Sequence, residues 1–347
     1  MRDLSPSLAE APAALNIPPT IATTPLPIRP IPVARLWGGA PPPDVPAIAA
    51  IARTGAAVGE LWKLASIGEV DSIIAAGPLA GIGLRDVVDA HREAVLGAAQ
   101  PVDGRFPLLI KLLNAARPIS AQAHPCPRQD RSPDGAVKHE AWVIVHAEPG
   151  AEVLIGLKPG VTRDDLATAI GTHRVCDLMR VHPARAGDCY YLPSGVPHAV
   201  GAGVVIYEAQ TPSDVTYRMY DWDRVDASGN PRELHAAAAL ANVRFDCGDG
   251  VFRQTPRVVN DIEVSLCRGD AFSVSRLTFP AGERRHELPT PFPRVWTVIT
   301  GVATLESDGS RPGYEARPGD TILLPAALDA VTLRVTSDLT VLQTIPR

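Results

Sequence analysis

The amino-acid sequence predicts a mainly β chain of about two domains, its short strands closed into barrels or jelly rolls. Three observations point there. At roughly 150 residues per domain, a length of 347 suggests two units. The 35 prolines are about twice the usual share, and proline is excluded from helix interiors and central strands. Short apolar stretches also recur at regular spacing, separated by Pro and Gly turn signals.

The elements follow in order. Residues 1–24 are Pro/Ala-rich and lack a cationic segment followed by an apolar core. They read as an extension rather than a signal peptide. From Pro25 to Trp37, Pro alternates with Ile, Val and Leu, a strand-like entry. "RLWGG" (Arg35 to Gly39) turns the chain into a Pro-rich loop, and "GELWKLAS" (Gly59 to Ser66) reads as a strand. Gly83 to Ala99 spaces Val, Leu and Ala on one helical face.

From Phe106 the pattern turns to β, in "FPLLIKLLNA", "PISAQAHP", "AWVIVHAE" and "AEVLIGL". A helical insert is expected from about Thr162 to Met179, with acidic residues at its start. "GDCYYLPSGVPHAVGAGVVIYEAQ" reads as strand, turn, strand. Pro231 to Val243 reads as a helix with Pro at its start, bridging to a second strand-rich unit. The expected domains are 25–243 and 244–347.

Composition narrows the function classes. The formal net charge is -5 and no run of Lys or Arg appears, so nothing recommends nucleic acid. No apolar run reaches about 18 residues, so no membrane span is expected. The five cysteines are scattered, with no C-x-x-C pair, which indicates neither a disulfide framework nor a thiolate zinc site. That suits a reducing compartment, with the cytoplasm as the default.

Four positions form a candidate metal set: Gln122, His124, Glu140 and His198. Residues two apart in a strand share a face, so Gln122 and His124 project side by side. Glu140 begins "EAWVIVH", which a hairpin brings alongside. His198 follows the tight turn "LPSGVPHAV". Two imidazoles, a carboxylate and an amide oxygen suit zinc with positions left open. Singly, each has a blander reading as a surface or core residue; order and spacing give the set its weight.

Gly187, Pro193, Gly195 and His198 match the second cupin motif, G-x5-P-x-G-x2-H. The first motif departs from the generic form, since Gln122 replaces its first His. That Q-x-H form, with "KHEAW", "GDCYYLPSGVPHAV" and "YEAQTPSDVTYRMYDWDR", resembles the type I mannose-6-phosphate isomerases from about Pro25 to Leu240. Lys63 departs from the pattern, standing where an acidic residue is common. The resemblance implies two cupin jelly rolls, one Zn2+ per chain and a phosphosugar substrate. The implied reaction interconverts mannose-6-phosphate and fructose-6-phosphate through an enediol.

It also implies roles. Arg218 would contact substrate or steady the enediolate, with Asp214 holding it. Lys111 and Ser120 would stand on the phosphate side. Lys138 shares a strand face with Glu140. Glu208, Lys138 and a zinc-bound hydroxide all stand open as the base. The second unit repeats Gly319 and Pro325 but has Ala327 and Ala330 where the motif needs Gly and His. It therefore reads as a degenerate cupin without metal, with His286 at its surface or rim. Three competing readings are an iron-dependent cupin dioxygenase, an isomerase of another phosphosugar and a non-catalytic sugar-binding regulator. A homo-oligomer is left open.

Overall fold

The structure, a computed structural model, describes residues 24–49, 57–126, 137–246, 252–289, 291–307 and 312–347. The expected extension and Cys247 lie outside the described residues, apart from Thr24. The chain is mainly β, and its strands pair antiparallel throughout.

The first unit is a sandwich of two sheets. One runs Cys189–Leu192, Glu140–Ala147, Val204–Gln210, Leu109–Ala115, Val58–Leu64 and Ile31–Ala34. The other runs Met179–Pro183, Glu152–Leu157, His198–Val200, Ile119–Ala123 and Tyr217–Tyr220. Leu109–Ala115 is buried along its whole length, which explains its nearly unbroken apolar run. One of its faces lines the first sandwich and the other packs on the second unit, so neither face needs to be polar. Leu112 and Tyr207 share one hydrophobic cluster with Leu266, Val295, Leu323 and Leu342 from the C-terminal unit.

The second unit is one curled sheet. Its two long strands, Arg294–Glu306 and Ala330–Pro346, each pair with different neighbours along their two halves. Register shifts between Val298 and Ala303 allow the bend. Gly301 has φ 83° there, and a Cβ on it would collide with the Asp338 carbonyl oxygen.

The expected helices are shorter than their patterns. Gly83 to Ala99 holds two, Leu84–Ala90 and Arg92–Leu96. The insert also holds two, Arg163–Ala169 and Arg174–Asp177. The first of these starts on a capping box between Thr162 and Asp165. The bridging helix begins at Ala236 instead of Pro231. Arg232, Glu233 and His235 are bonded to Asp221 and Arg218, which holds this stretch off the helix.

The entry strand also differs from expectation. Leu26–Ile28 pairs with Thr321–Leu323 at the edge of the C-terminal sheet, not with the first sandwich. Pro27 lacks an N–H, which an edge position tolerates.

The two units repeat one another in detail. Ile144 donates to the Asp188 carbonyl and accepts from Gly187; Val298 does the same with Asp320 and Gly319. Both glycines have φ 91°. Trp142 Nε1 donates to Glu208 across the strand pair at 3.0 Å, and Trp296 Nε1 donates to Gln343 at 2.9 Å. On this frame Arg294 occupies the place of Glu140, which explains why the second unit lacks the ligand set. His286 is partly buried, its ring against Phe279 and Trp296.

Candidate metal centre and active site

The two sheets of the first sandwich bring the candidate ligands together. Gln122 lies in the strand Ile119–Ala123 with His198 paired opposite it, and His124 follows directly after the strand's end. Glu140 opens a strand of the facing sheet. His124, Glu140 and His198 are all at most 2% exposed, and their ligand atoms lie within 4.8 Å of one another. Among the described residues, this is the one His/Cys/Asp/Glu group gathered closely enough to hold an ion.

The tautomers follow from the backbone. His124 Nδ1 lies 2.9 Å from the Val215 carbonyl oxygen, and His198 Nδ1 lies 2.9 Å from that of Val196. A carbonyl only accepts, so each Nδ1 carries the proton and each Nε2 keeps a lone pair. Burial and the nearby Lys138 push His124 down to about 3, and burial likewise lowers His198. Both rings are thus neutral at pH 7, as ligands must be.

The carboxylate completes the fit. Both oxygens of Glu140 are buried without a well-aligned hydrogen bond, and the Lys138 ammonium meets Oε1 as an ion pair. Burial would raise its pKa, but Lys138 and the two imidazoles hold it well below the usual range. Glu140 Oε1 faces His124 Nε2 at 3.0 Å, and Oε2 lies 3.7 Å from His198 Nε2. Lone pairs facing each other at such distances call for a cation. The Lys138 ammonium partly meets that need, 2.9 Å from Glu140 and 3.2 Å from His124 Nε2. Two imidazole nitrogens and a carboxylate would hold a zinc ion in the same place. Gln122 Nε2 donates to His198 Nε2 at 3.2 Å, while its Oε1 accepts from Ser120 at 3.0 Å. Rotating the amide end for end would turn the oxygen toward the ion and leave Ser120 as acceptor.

The centre borders a polar pocket of about 270 Å³. Gln122, Lys138, Lys111, Glu208, Ser120, Asp214 and Arg218 all line it. Lys111 and Glu208 face each other at 3.3 Å across paired strands. Burial, then the charge of Glu140, raises Glu208 to about 7, with Lys111 only partly offsetting them. Burial would lower Lys111, but Glu208, Glu60, Asp214 and Glu140 together hold it above its ordinary value. Both values rise, which favours the charged form of Lys111 but the neutral form of Glu208, because the ammonium draws on four carboxylates whereas Glu208 shares its surroundings with two others.

A family model, phosphomannose isomerase type I catalytic domain, matches residues 36–140. The mannose-6-phosphate isomerase ManA of Bacillus subtilis is 35% identical over 311 residues, covering 89% of this chain and 95% of that one. The chain belongs to the type I mannose-6-phosphate isomerase family. A crystal structure of the mannose 6-phosphate isomerase from Bacillus subtilis superposes with a TM-score of 0.79 at 29% identity, over 92% of this chain and 99% of that one. A zinc-bound mannose 6-phosphate isomerase shares the fold, with a TM-score of 0.70 at 17% identity over 93% of this chain and 100% of that one.

Within this isomerase-family site, one expected pairing is absent. No ion pair joins Asp214 to Arg218 among the described residues. Asp214 is exposed, while the Arg218 guanidinium donates through Nη1 to the Glu233 carbonyl at 2.8 Å. Asp221 is the carboxylate on that side, and it holds Arg224 and Arg232 instead. Sequence reasoning also missed Glu60, Arg35, Trp37 and Arg232, all on the pocket wall. Glu60 takes Arg35 through two contacts, at 2.8 and 3.2 Å, and Trp62 Nε1 at 2.6 Å. Burial would raise Glu60, but Lys111 and Arg35 bring it to about 2. Strand parity held part of the signal, since Glu60 and Trp62 share a face. Lys63, on the opposite face, instead donates to the Gly319 carbonyl of the C-terminal unit.

Proposed function

We propose that this protein interconverts mannose-6-phosphate and fructose-6-phosphate, with zinc held by Gln122, His124, Glu140 and His198. The observation that carries the reading is the buried two-histidine, one-carboxylate centre bordering a pocket lined by Lys138, Lys111, Glu208 and Arg218, in a chain of this family. When bound, zinc acts as a Lewis acid that polarises the sugar carbonyl.

The chain's own residues supply the rest. Moving the carbonyl between neighbouring carbons requires lifting a proton from one carbon and returning it to the other. The hydroxyl proton moves between the two oxygens in the same sense, so one carbon is reduced as its neighbour is oxidised and the reaction is redox-neutral overall. Glu208, raised to about 7, is half-ionised near neutral pH, which suits a group that takes and returns a proton. Lys138 places a positive charge beside the centre, where the enediolate oxygen becomes negative. Arg218 contributes a second cation on the pocket wall, and Lys111 and Ser120 line the same pocket. Asp214 adds a negative charge felt by Arg35 and Lys111.

No helix among the described residues is long and apolar enough to cross a membrane. Four cysteines are buried as free thiols, which supports a reducing compartment such as the cytoplasm. The test is a coupled assay of mannose-6-phosphate turnover before chelation, after it, and with zinc added back. Activity lost and then restored supports both reaction and metal. A folded, zinc-loaded protein without turnover would overturn the isomerase reading.

A further inference from the structure

The charges around the pocket are unevenly spread. Beside the metal centre, Lys111, Lys138 and Arg35 stand against Glu60, Glu140 and Glu208. Each of these cations has a carboxylate within 3.3 Å. Lys111 is therefore already compensated, and Ser120 brings a hydroxyl but no charge. Neither is free to take a dianion alone.

The opposite wall is different. Asp221, 6% exposed, carries two guanidinium groups on one carboxylate. Arg232 binds it through Nε at 2.8 Å and Nη2 at 2.5 Å, and Arg224 binds it through Nη2 at 2.5 Å. Arg218 stands beside them with no carboxylate within ion-pair distance among the described residues, and its buried Nε has no hydrogen-bond partner. Among the described residues, Asp221 is the one carboxylate paired on this side, while Asp214 on the pocket lining is exposed and pairs with none of the three arginines. Arg224 spends its remaining donors on the Asp221 and Pro118 carbonyls, so it is a fixed support. Arg218 and Arg232 line the pocket, and Arg232 keeps Nη1 without a partner among the described residues.

We infer that Arg232, held in place by Asp221 and flanked by Arg218, reads the phosphate group of the substrate. A phosphate monoester carries close to two negative charges near neutral pH. That is the deficit on this wall. Guanidinium groups match phosphate oxygens in paired, directional hydrogen bonds. Asp221 is a positioning residue in this arrangement. It fixes the orientation of Arg232 and keeps the arginines from repelling one another. The inference rests on the isomerase reading for the identity of the substrate, but the anion site itself does not need turnover.

The test uses the full-length, zinc-loaded protein and two readouts. The first is binding of inorganic phosphate by calorimetry. The second is the kinetics of mannose-6-phosphate, with zinc content measured alongside. Arg232→Met is expected to weaken phosphate binding roughly 10- to 100-fold and to lower kcat/KM by a similar factor, chiefly through KM. Arg232→Lys keeps the charge without the fork and should recover part of the loss. The side chain is 26% exposed, so both variants should fold and keep their zinc. Wild-type phosphate affinity and KM in Arg232→Met would overturn the assignment while leaving the isomerase reading intact. Phosphate binding that depends on Arg232 without any turnover of the sugar would support the anion site and overturn the isomerase reading instead.

Discussion

Replacing Glu208 with Gln separates what the carboxylate does for folding from what it does for chemistry. Its neighbours pull in opposite directions. At 3.3 Å and an effective dielectric constant near 20, the attraction of Lys111 amounts to about 5 kcal/mol. Burial and Glu140 outweigh it, since Glu208 is raised from 4.5 to about 7. A folded-state value above the unfolded one means that stability is fully present below about 4.5 and is lost as pH rises through about 7. The full difference is on the order of 3 kcal/mol. Glu208→Gln has no ionisation to suppress. In metal-free protein it should match the wild type at about pH 4 and exceed it by up to about 3 kcal/mol at pH 8. Denaturant unfolding at the two pH values reads this directly. With zinc restored, kcat should fall by roughly 10²- to 10⁴-fold if Glu208 moves the proton. A variant less stable than wild type at pH 8 would show that the Lys111 pair dominates. A kcat within about threefold of wild type would remove Glu208 as the base.

Three further outcomes are expected. His198→Ala should lose bound zinc and turnover together while the C-terminal unit stays folded; metal analysis and circular dichroism check this, and wild-type zinc content would refute the ligand assignment. Tyr207→Phe removes a buried hydroxyl that meets Thr344 Oγ1 at 2.7 Å between the two units, and should cost about 1–2 kcal/mol in denaturant unfolding. Gly195→Ala places a Cβ 2.6 Å from the Asn242 carbonyl oxygen at φ +82°. It should lower stability by more than about 1 kcal/mol and weaken zinc binding through displacement of His198, both measurable on the purified variant.

The β character and the metal centre were legible because both follow from local rules. Turn residues punctuate the strands, and parity two apart places Gln122 beside His124 and Lys138 beside Glu140. The pocket's outer wall was less legible. Glu60 meets Lys111 and Arg35 only when three separate segments converge, and Arg232 reaches Asp221 from a loop that composition alone reads as the start of a helix. The family resemblance implies a pairing of Asp214 with Arg218. In the fold, Asp214 is exposed, and the carboxylate that acts on Arg218 is Asp221, outweighed by burial and by the like charge of Arg232. The second unit's loss of ligands was readable at Ala330, but the substitution of Arg294 for Glu140 emerged only from matching hydrogen bonds.

The pairing of Leu26 with Leu323 also bears on how the chain is made. At roughly 5–20 residues per second, the partner of the first strand leaves the ribosome about 15–60 s after it. Until then, three residues destined for full burial have no sheet to join. The first sandwich can assemble meanwhile, because its own strands end at Tyr220. Closure then comes late, when the early strand is sewn onto the late sheet. A chain released before Thr321 would carry a nearly complete metal centre and an apolar leading strand with nowhere to dock, a natural handle for quality control of unfinished copies.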